Sequence, residues 1–283
     1  MKRKLRSIII YIVLIVLSCT KKIENSESRI TFYGSHYRET KSSTTLENGT
    51  RVVIYAFEPN DINNPHSRTP MELFAAAGGV LTPATPLFLP RGSYDFYSVS
   101  LNKSSNSGIT FSGGVSGQLS NGEDYLWASS KNSSVNGNTN IILTYKHTAC
   151  KVNISINEAS NISNVCITSV KYTLPSETAL RMNLGNGTIQ ASASVSPLST
   201  IPGTGNSRTF ICLPCSAAME VEIKLNAIID GEPVTNKTFR ASINAIFEQG
   251  NMYNIIYTLT SHQEFQALIT STIWTSTTKS TEI

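Results

Sequence analysis

Apolar and polar residues alternate with a period of two along most of this chain. Cys150, Val152, Ile154 and Ile156 alternate with Lys151, Asn153, Ser155 and Asn157. Met219, Val221, Ile223 and Leu225 alternate with Glu220, Glu222 and Lys224, and Tyr253, Ile255, Tyr257 and Leu259 repeat the pattern after Gly250-Asn251. Successive side chains of a strand point to opposite faces, so each stretch predicts a strand with one face in a core and one in water. On a helix the same spacing would scatter the apolar residues around the axis. Residues 51–57 form a β-branched and aromatic run bounded by the turn signals Asn48-Gly49 and Pro59-Asn60-Asp61, and Tyr94–Ser100 follows Pro90-Arg91-Gly92. Met71–Ala77 is the one stretch with helical tendency, and Gly78-Gly79 stops it. Residues 103–108 and 129–140 are rich in Ser, Asn and Gly, with too few apolar side chains to offset the entropy of ordering, and predict surface loops.

Many short strands separated by turns indicate an all-β chain of sandwich type, and the length suits two sandwiches in tandem. The Asn/Ser-rich stretch 157–164 is the predicted boundary. It gives an N-terminal β-sandwich domain over 30–157 and a C-terminal one over 158–283.

The first 19 residues break the pattern. Lys2, Arg3, Lys4 and Arg6 precede ten apolar residues, Ile8 to Leu17, and Val16-Leu17-Ser18-Cys19 closes the run. A basic start, a short apolar stretch and a small residue before the cut are the layout of a secretory signal peptide. A membrane-crossing helix needs about 20 apolar residues, twice this run. The expectation is a signal peptide over 1–18, lipidation at Cys19 and a polar lipidated tether over 19–29. Acyl chains on Cys19 would hold the protein to a membrane, each buried CH₂ adding about 0.8 kcal/mol.

This leader also corrects the charge. The chain has 23 basic and 19 acidic residues, but four of the basic ones lie before Cys19 and none of the acidic ones do. Subtracting those four leaves 19 of each sign, a net charge of zero, which gives no basic surface for nucleic acid. Four cysteines remain: Cys150, Cys166, Cys212 and Cys215. Cys212-Leu-Pro-Cys215 has redox spacing, yet its flanks read as strands rather than as strand and helix. Core thiols or structural disulfides are expected.

No nucleophile elbow, phosphate loop or metalloprotease helix is present. His36, His66, His147 and His262 have no acidic or nucleophilic partner at a motif spacing, and His147 is read as a packed or edge histidine. Glu123-Asp124 reads as part of a polar turn, although two carboxylates about 5–10 Å apart would suit a glycosidase. Trp127 and Trp274 are assigned to cores. The expectation is no enzyme, no cofactor and no metal.

Several segments, in order, resemble the fimbrillin family of Bacteroidales, which comprises lipoprotein pilins and accessory fimbrial subunits. Leu87–Ser100 resembles the family's leucine-proline-x-glycine-x-tyrosine strand, Asp124–Ala128 its D-x-L-x-A segment, and Tyr145–Val152 its histidine-containing strand. Phe247–Ile255 resembles the late glycine–tyrosine strand, and Ile273-Trp274 also fits. The resemblance implies two tandem transthyretin-like β-sandwich domains and a fimbrial subunit at the cell outer membrane or in a surface fimbrium, with a role in adhesion. Its implied partners are other fimbrial subunits and a host or bacterial surface receptor. It further implies removal of a first strand by an arginine-specific protease and filling of the vacated groove by a neighbour's strand. On this chain residues 29–33 are the candidate first strand, with Arg38 the first candidate cleavage site and Arg51 the second. The donor would come from 265–274. Nine residues follow Trp274, which is short for a donor tail and points away from a stalk. The alternative is a carbohydrate- or host-binding lipoprotein that does not polymerise.

Overall fold

The computed structural model describes residues 27–37, 44–83, 85–105, 109–260 and 265–275. Its described regular structure is all β apart from one short 3₁₀ turn at Ala77–Gly79. The strands of the first half are β1 (Ser28–His36), β2 (Thr44–Thr45), β3 (Arg51–Phe57), β4 (Met71–Ala75), β5 (Val80–Pro83), β6 (Leu87–Leu89), β7 (Gly92–Ser100), β8 (Phe111–Ser112), β9 (Val115–Ser116), β10 (Leu126–Val135) and β11 (Thr139–His147). Those of the second half are β12 (Cys150–Glu158), β13 (Ile162–Pro175), β14 (Val195–Thr200), β15 (Ser207–Cys212), β16 (Met219–Ile229), β17 (Glu232–Ile243), β18 (Asn251–Leu259) and β19 (Phe265–Ile273).

The first half forms a sheet that closes on itself. Its order is β11-β10-β7-β3-β4-β5-β1, and β1 pairs back onto β11. The β1–β11 pairing is parallel, from Ile30 opposite Thr139 to His36 opposite Tyr145. The other edge of β1 is met in turn by β6 at Ser28–Ile30, by β5 at Phe32–Tyr33 and by β2 at Ser35–His36. Closure removes the open backbone edge that would otherwise invite pairing with another chain. Phe32, Ile54, Leu81, Phe96, Leu126 and Tyr145 belong to the enclosed core.

The second half is a sandwich of two four-stranded sheets, β15-β12-β18-β19 and β14-β13-β16-β17. Val152, Ile154 and Tyr257 from one sheet share a core with Val170, Tyr172 and Ile223 from the other. Here too the first strand runs parallel to a late one: β12 pairs with β18 from Lys151–Met252 to Glu158–Leu259. β19 then lies antiparallel on the outer edge of β18.

A third apolar cluster joins the halves. Tyr55, Tyr97 and Trp127 pack with Met182, Leu184 and Leu213, and the Trp127 indole N–H donates to the Leu184 carbonyl at 2.7 Å. Gly187 lies against this ring at φ +71°, where a Cβ would sit 2.5 Å from Trp127 Cδ2.

Three sequence expectations change. The expected boundary between 30–157 and 158–283 falls about one strand too late, because β12 pairs with β15 and β18 and belongs to the second half. The Asn-rich stretch is the turn that carries the chain from β12 in one sheet to β13 in the other. Residues 129–140 are mostly β10 and β11 rather than a loop. Met71–Ala75 is a strand, its Leu73 and Ala75 buried and its Glu72 paired with Arg51 across from β3.

Candidate functional site

The closing strand β1 is the first described strand and has partners along both of its edges. Ser28, Ile30, Phe32, Gly34 and His36 are buried and alternate with the more open Arg29, Thr31, Tyr33 and Ser35. The expected first strand, 29–33, is therefore the middle of a longer one. Phe32 meets Phe96 edge-on, with centroids 5.4 Å apart and planes at 76°. Burying Ile30 and Phe32 contributes about 1.5–3 kcal/mol each. Gly34 is tightly enclosed: a Cβ would lie 2.8 Å from Leu46 Cδ1 and 3.2 Å from both Leu81 Cδ2 and Tyr145 Cε2, so these side chains would have to shift to admit one. Burial pushes the Tyr145 hydroxyl well above its usual pKa, and its oxygen is 2.5 Å from Ser98 Oγ.

The strand ends as the Tyr37 N–H donates to the Tyr145 carbonyl at 2.7 Å. Arg38, the first candidate cleavage site, follows at once and lies outside the described residues, as does Cys19. Arg51, the second candidate, opens β3. Its N–H donates to the Lys103 carbonyl at 2.8 Å, and its carbonyl accepts a bond from Ser100 Oγ. Its guanidinium pairs with Glu72 at 3.2 Å and lies 4.8 Å over the Phe74 ring. The Arg51–Val52 bond is thus built into the closed sheet, whereas a protease needs a segment it can pull into its own cleft.

Beside the end of β1 lies a buried polar cluster. His147 Nδ1 is 2.7 Å from Asp124 Oδ1, and Asn102 Nδ2 donates to Asp124 Oδ2 at 2.8 Å. Trp274 stacks on His147 with centroids 3.8 Å apart and planes within 6°, and His36 stacks on it at 5.9 Å. Lys151 lies 5.8 Å over the Trp274 ring. Trp274 is itself held by its backbone N–H, which donates to the Gly250 carbonyl at 2.7 Å. The cluster ties the end of β1, the end of β11 and the residue after β19 to one point. The aromatic rings packed against His147 fit the reading of a packed histidine. Its carboxylate partner escaped the sequence reading because the two are 23 residues apart. A β10–β11 hairpin, with Leu126 opposite His147, brings them together.

Other candidate chemistry is dispersed. Glu123 pairs with Lys103 at 2.9 Å while its neighbour Asp124 faces His147, so the two carboxylates serve different partners. Cys150, Cys212 and Cys215 are buried free thiols and Cys166 is an exposed one. The neighbouring Cys212 sulfur and burial push the Cys150 thiol up, and burial pushes the Cys215 thiol up, which disfavours the reactive thiolate. Among the described residues no group of three His, Cys, Asp or Glu side chains is placed to hold a metal ion.

Comparison with known proteins agrees with this architecture. The profile of a family described as fimbrillin-like matches residues 38–276. No curated protein sequence matches the chain. Among solved structures, a protein from Bacteroides uniformis provisionally named for cell adhesion superposes with a TM-score of 0.64 at 15% identity, covering 88% of this chain and 99% of that one. A similarly named protein from Bacteroides ovatus gives 0.64 at 12% identity, with 88% and 98% covered. A third, from Bacteroides fragilis, gives 0.58 at 16% identity, with 89% and 99% covered. At these identities the likeness is one of fold.

Proposed function

Because this chain belongs to the fimbrillin-like family, we propose that it is a fimbrial structural or accessory subunit with a role in adhesion and no catalytic activity. In this reading Cys19 carries the lipid that anchors it at the outer membrane, and its partners are other fimbrial subunits. Cleavage after Arg38 detaches the chain from that lipid and frees β1, and a strand from a neighbouring subunit takes its place. The physics is strand addition: backbone bonds supply affinity, and alternate side chains supply register.

One observation carries the proposal. β1 closes the N-terminal sheet, with partners on both edges and an inward face that is buried throughout, and the Arg38 segment follows it directly. Losing β1 would expose core side chains and two rows of backbone groups together, a state stabilised by a replacement strand.

The test starts from the folded chain beginning at residue 20, treated with an arginine-specific protease. A new N-terminus at Glu39 is expected. The freed strand should then be displaced by an isotope-labelled peptide of sequence SRITFYGSH, followed by native mass spectrometry. A chain that is not cut at Arg38, or that is cut there but never exchanges β1 for the labelled peptide, contradicts the reading.

A further inference from the structure

Resting on that reading, we infer that the seat of β1 selects its occupant by a glycine. The replacement strand carries glycine at the position opposite Leu143, with large apolar residues two and four positions before it, and it comes from a different protein rather than from a second copy's C-terminal strand.

The seat is defined by what surrounds Gly34. Its Cβ direction is closed by Leu46, Leu81 and Tyr145, at the 2.8 and 3.2 Å separations given above. Leu46 and Leu81 are each 1% exposed and Tyr145 is fully buried. Tyr145 is pinned at its far end, where its hydroxyl meets Ser98 Oγ, which in turn donates to the Val53 carbonyl at 3.0 Å. The backbone side is equally full. Gly79 packs on the Gly34 carbonyl so closely that a Cβ on Gly79 would be 2.8 Å from that oxygen. The Leu46 N–H also points to this carbonyl, at 3.5 Å. Gly34 is absent from the positive-φ residues, so lack of space rather than backbone conformation demands glycine here. The two preceding inward positions want the opposite: Phe32 and Ile30 fill the core opposite Ile141 and Thr139.

Leu46 directly follows β2, which pairs with Ser35 and His36. A cut at Arg38 leaves β2 and Leu46 on the receiving chain, so the gate over this position persists after β1 has gone. The chain's own C-terminal region contains no glycine after Gly250. The smallest side chains of β19 are those of Ala267 and Ser271. In every register β19 puts a Cβ against Leu46, Leu81 and Tyr145, which would have to shift to admit it, so the seat disfavours a second copy's β19 as the donor.

The test uses the full chain with a site-specific protease sequence in place of residues 39–43, folded first and nicked afterwards. Four labelled peptides compete for the seat: the β1 sequence, its Gly34→Ala and Gly34→Val forms, and the β19 sequence. The β1 peptide should exchange in. The alanine form should bind at least about 10-fold more weakly, as expected for one methyl forced into a filled core, and the valine and β19 peptides should not bind. Leu46→Ala in the receiving chain should restore the alanine peptide selectively, and Leu46→Val serves where Leu46→Ala does not fold. Equal binding of the glycine, alanine and valine peptides, or uptake of the β19 peptide, overturns the inference and leaves strand exchange standing. Failure of the β1 peptide itself to exchange overturns the exchange reading and the inference together.

Discussion

Replacing Phe32 by alanine tests whether β1 is a structural member of the core and not a loosely attached lead segment. Phe32 is 1% exposed and meets Phe96 edge-on. Truncating a buried phenylalanine costs about 3–5 kcal/mol, a range that includes loss of the ring pair and the cavity left behind. Domains are stable by about 5–15 kcal/mol, so the N-terminal sheet would lose a large share of its margin. With a urea slope of about 1.5 kcal/mol/M, the midpoint followed by Trp127 fluorescence should fall by about 2–3 M, with an unchanged slope. Tyr33→Ala is the control. Tyr33 lies on the same strand but on its outer face, half-buried and opposite the exposed Ile142, and its loss should cost about 1 kcal/mol or less. Amide exchange should rise in β1 and β11 for Phe32→Ala and barely change for Tyr33→Ala. Equal midpoint shifts for the two variants would mean that the face assignment of β1, and with it the register against β11, is wrong.

Four further outcomes are expected. Brief arginine-specific digestion of the folded chain should leave the Arg51–Val52 bond intact by peptide mapping, because both backbone groups of Arg51 are hydrogen-bonded. Asp124→Ala should lower stability by about 1–3 kcal/mol in urea unfolding, since it removes a buried carboxylate that bonds both His147 and Asn102. Gly187→Ala should cost about 2–4 kcal/mol by the same measurement, combining a clash with Trp127 and a left-handed backbone. Burial pushes the Tyr125 hydroxyl up to about 12 and raises those of Tyr145, Tyr172 and Tyr257. A raised tyrosine stabilises the fold fully below its unfolded pKa of about 10, and that contribution disappears as pH climbs through the folded value. Urea midpoints should therefore decline from about pH 10 upwards, and Tyr125→Phe should flatten the part of the decline that ends near 12.

What the sequence made legible follows from which forces are local. β12, β16 and β18 are half-buried strands whose period-two pattern is written in consecutive residues, and the structure has strands at each of those places. Residues 129–140 were opaque because β10 runs through a bulge between Ser130 and Ser133, where Asn132 has φ +50°, and its exposed middle is polar before Val135 returns to the core. Beyond it Ser133, Ser134 and Val135 are still paired with β7. Met71–Ala75 consists largely of helix-forming residues, and only its pairing with β3 and β5 decides its state. The site is less visible still. The tightness at Gly34 is made by Leu46, Leu81 and Tyr145, which are 12, 47 and 111 residues further along the chain, and no local pattern encodes that distance.

Topology narrows the choice of exchangeable strand further than burial does. Among the described strands most are joined to neighbours at both ends, so releasing one takes two breaks. β1 is the first of the described strands and β19 the last. The two strands differ sharply in what they leave behind. β1 buries every second residue and has partners along both edges, whereas β19 buries none of its residues fully and pairs on one edge with β18. Just beyond it, Trp274 is stacked on His147. Since His147 also stacks on His36 at the end of β1, β1 and the residue after β19 meet at one side chain. A change at either end therefore acts on the other: loosening β1 should raise amide exchange in β19, and Trp274→Ala should raise it at the His36 end of β1. If each perturbation stays on its own side of His147, the cluster is packing alone, and the two strands are independent.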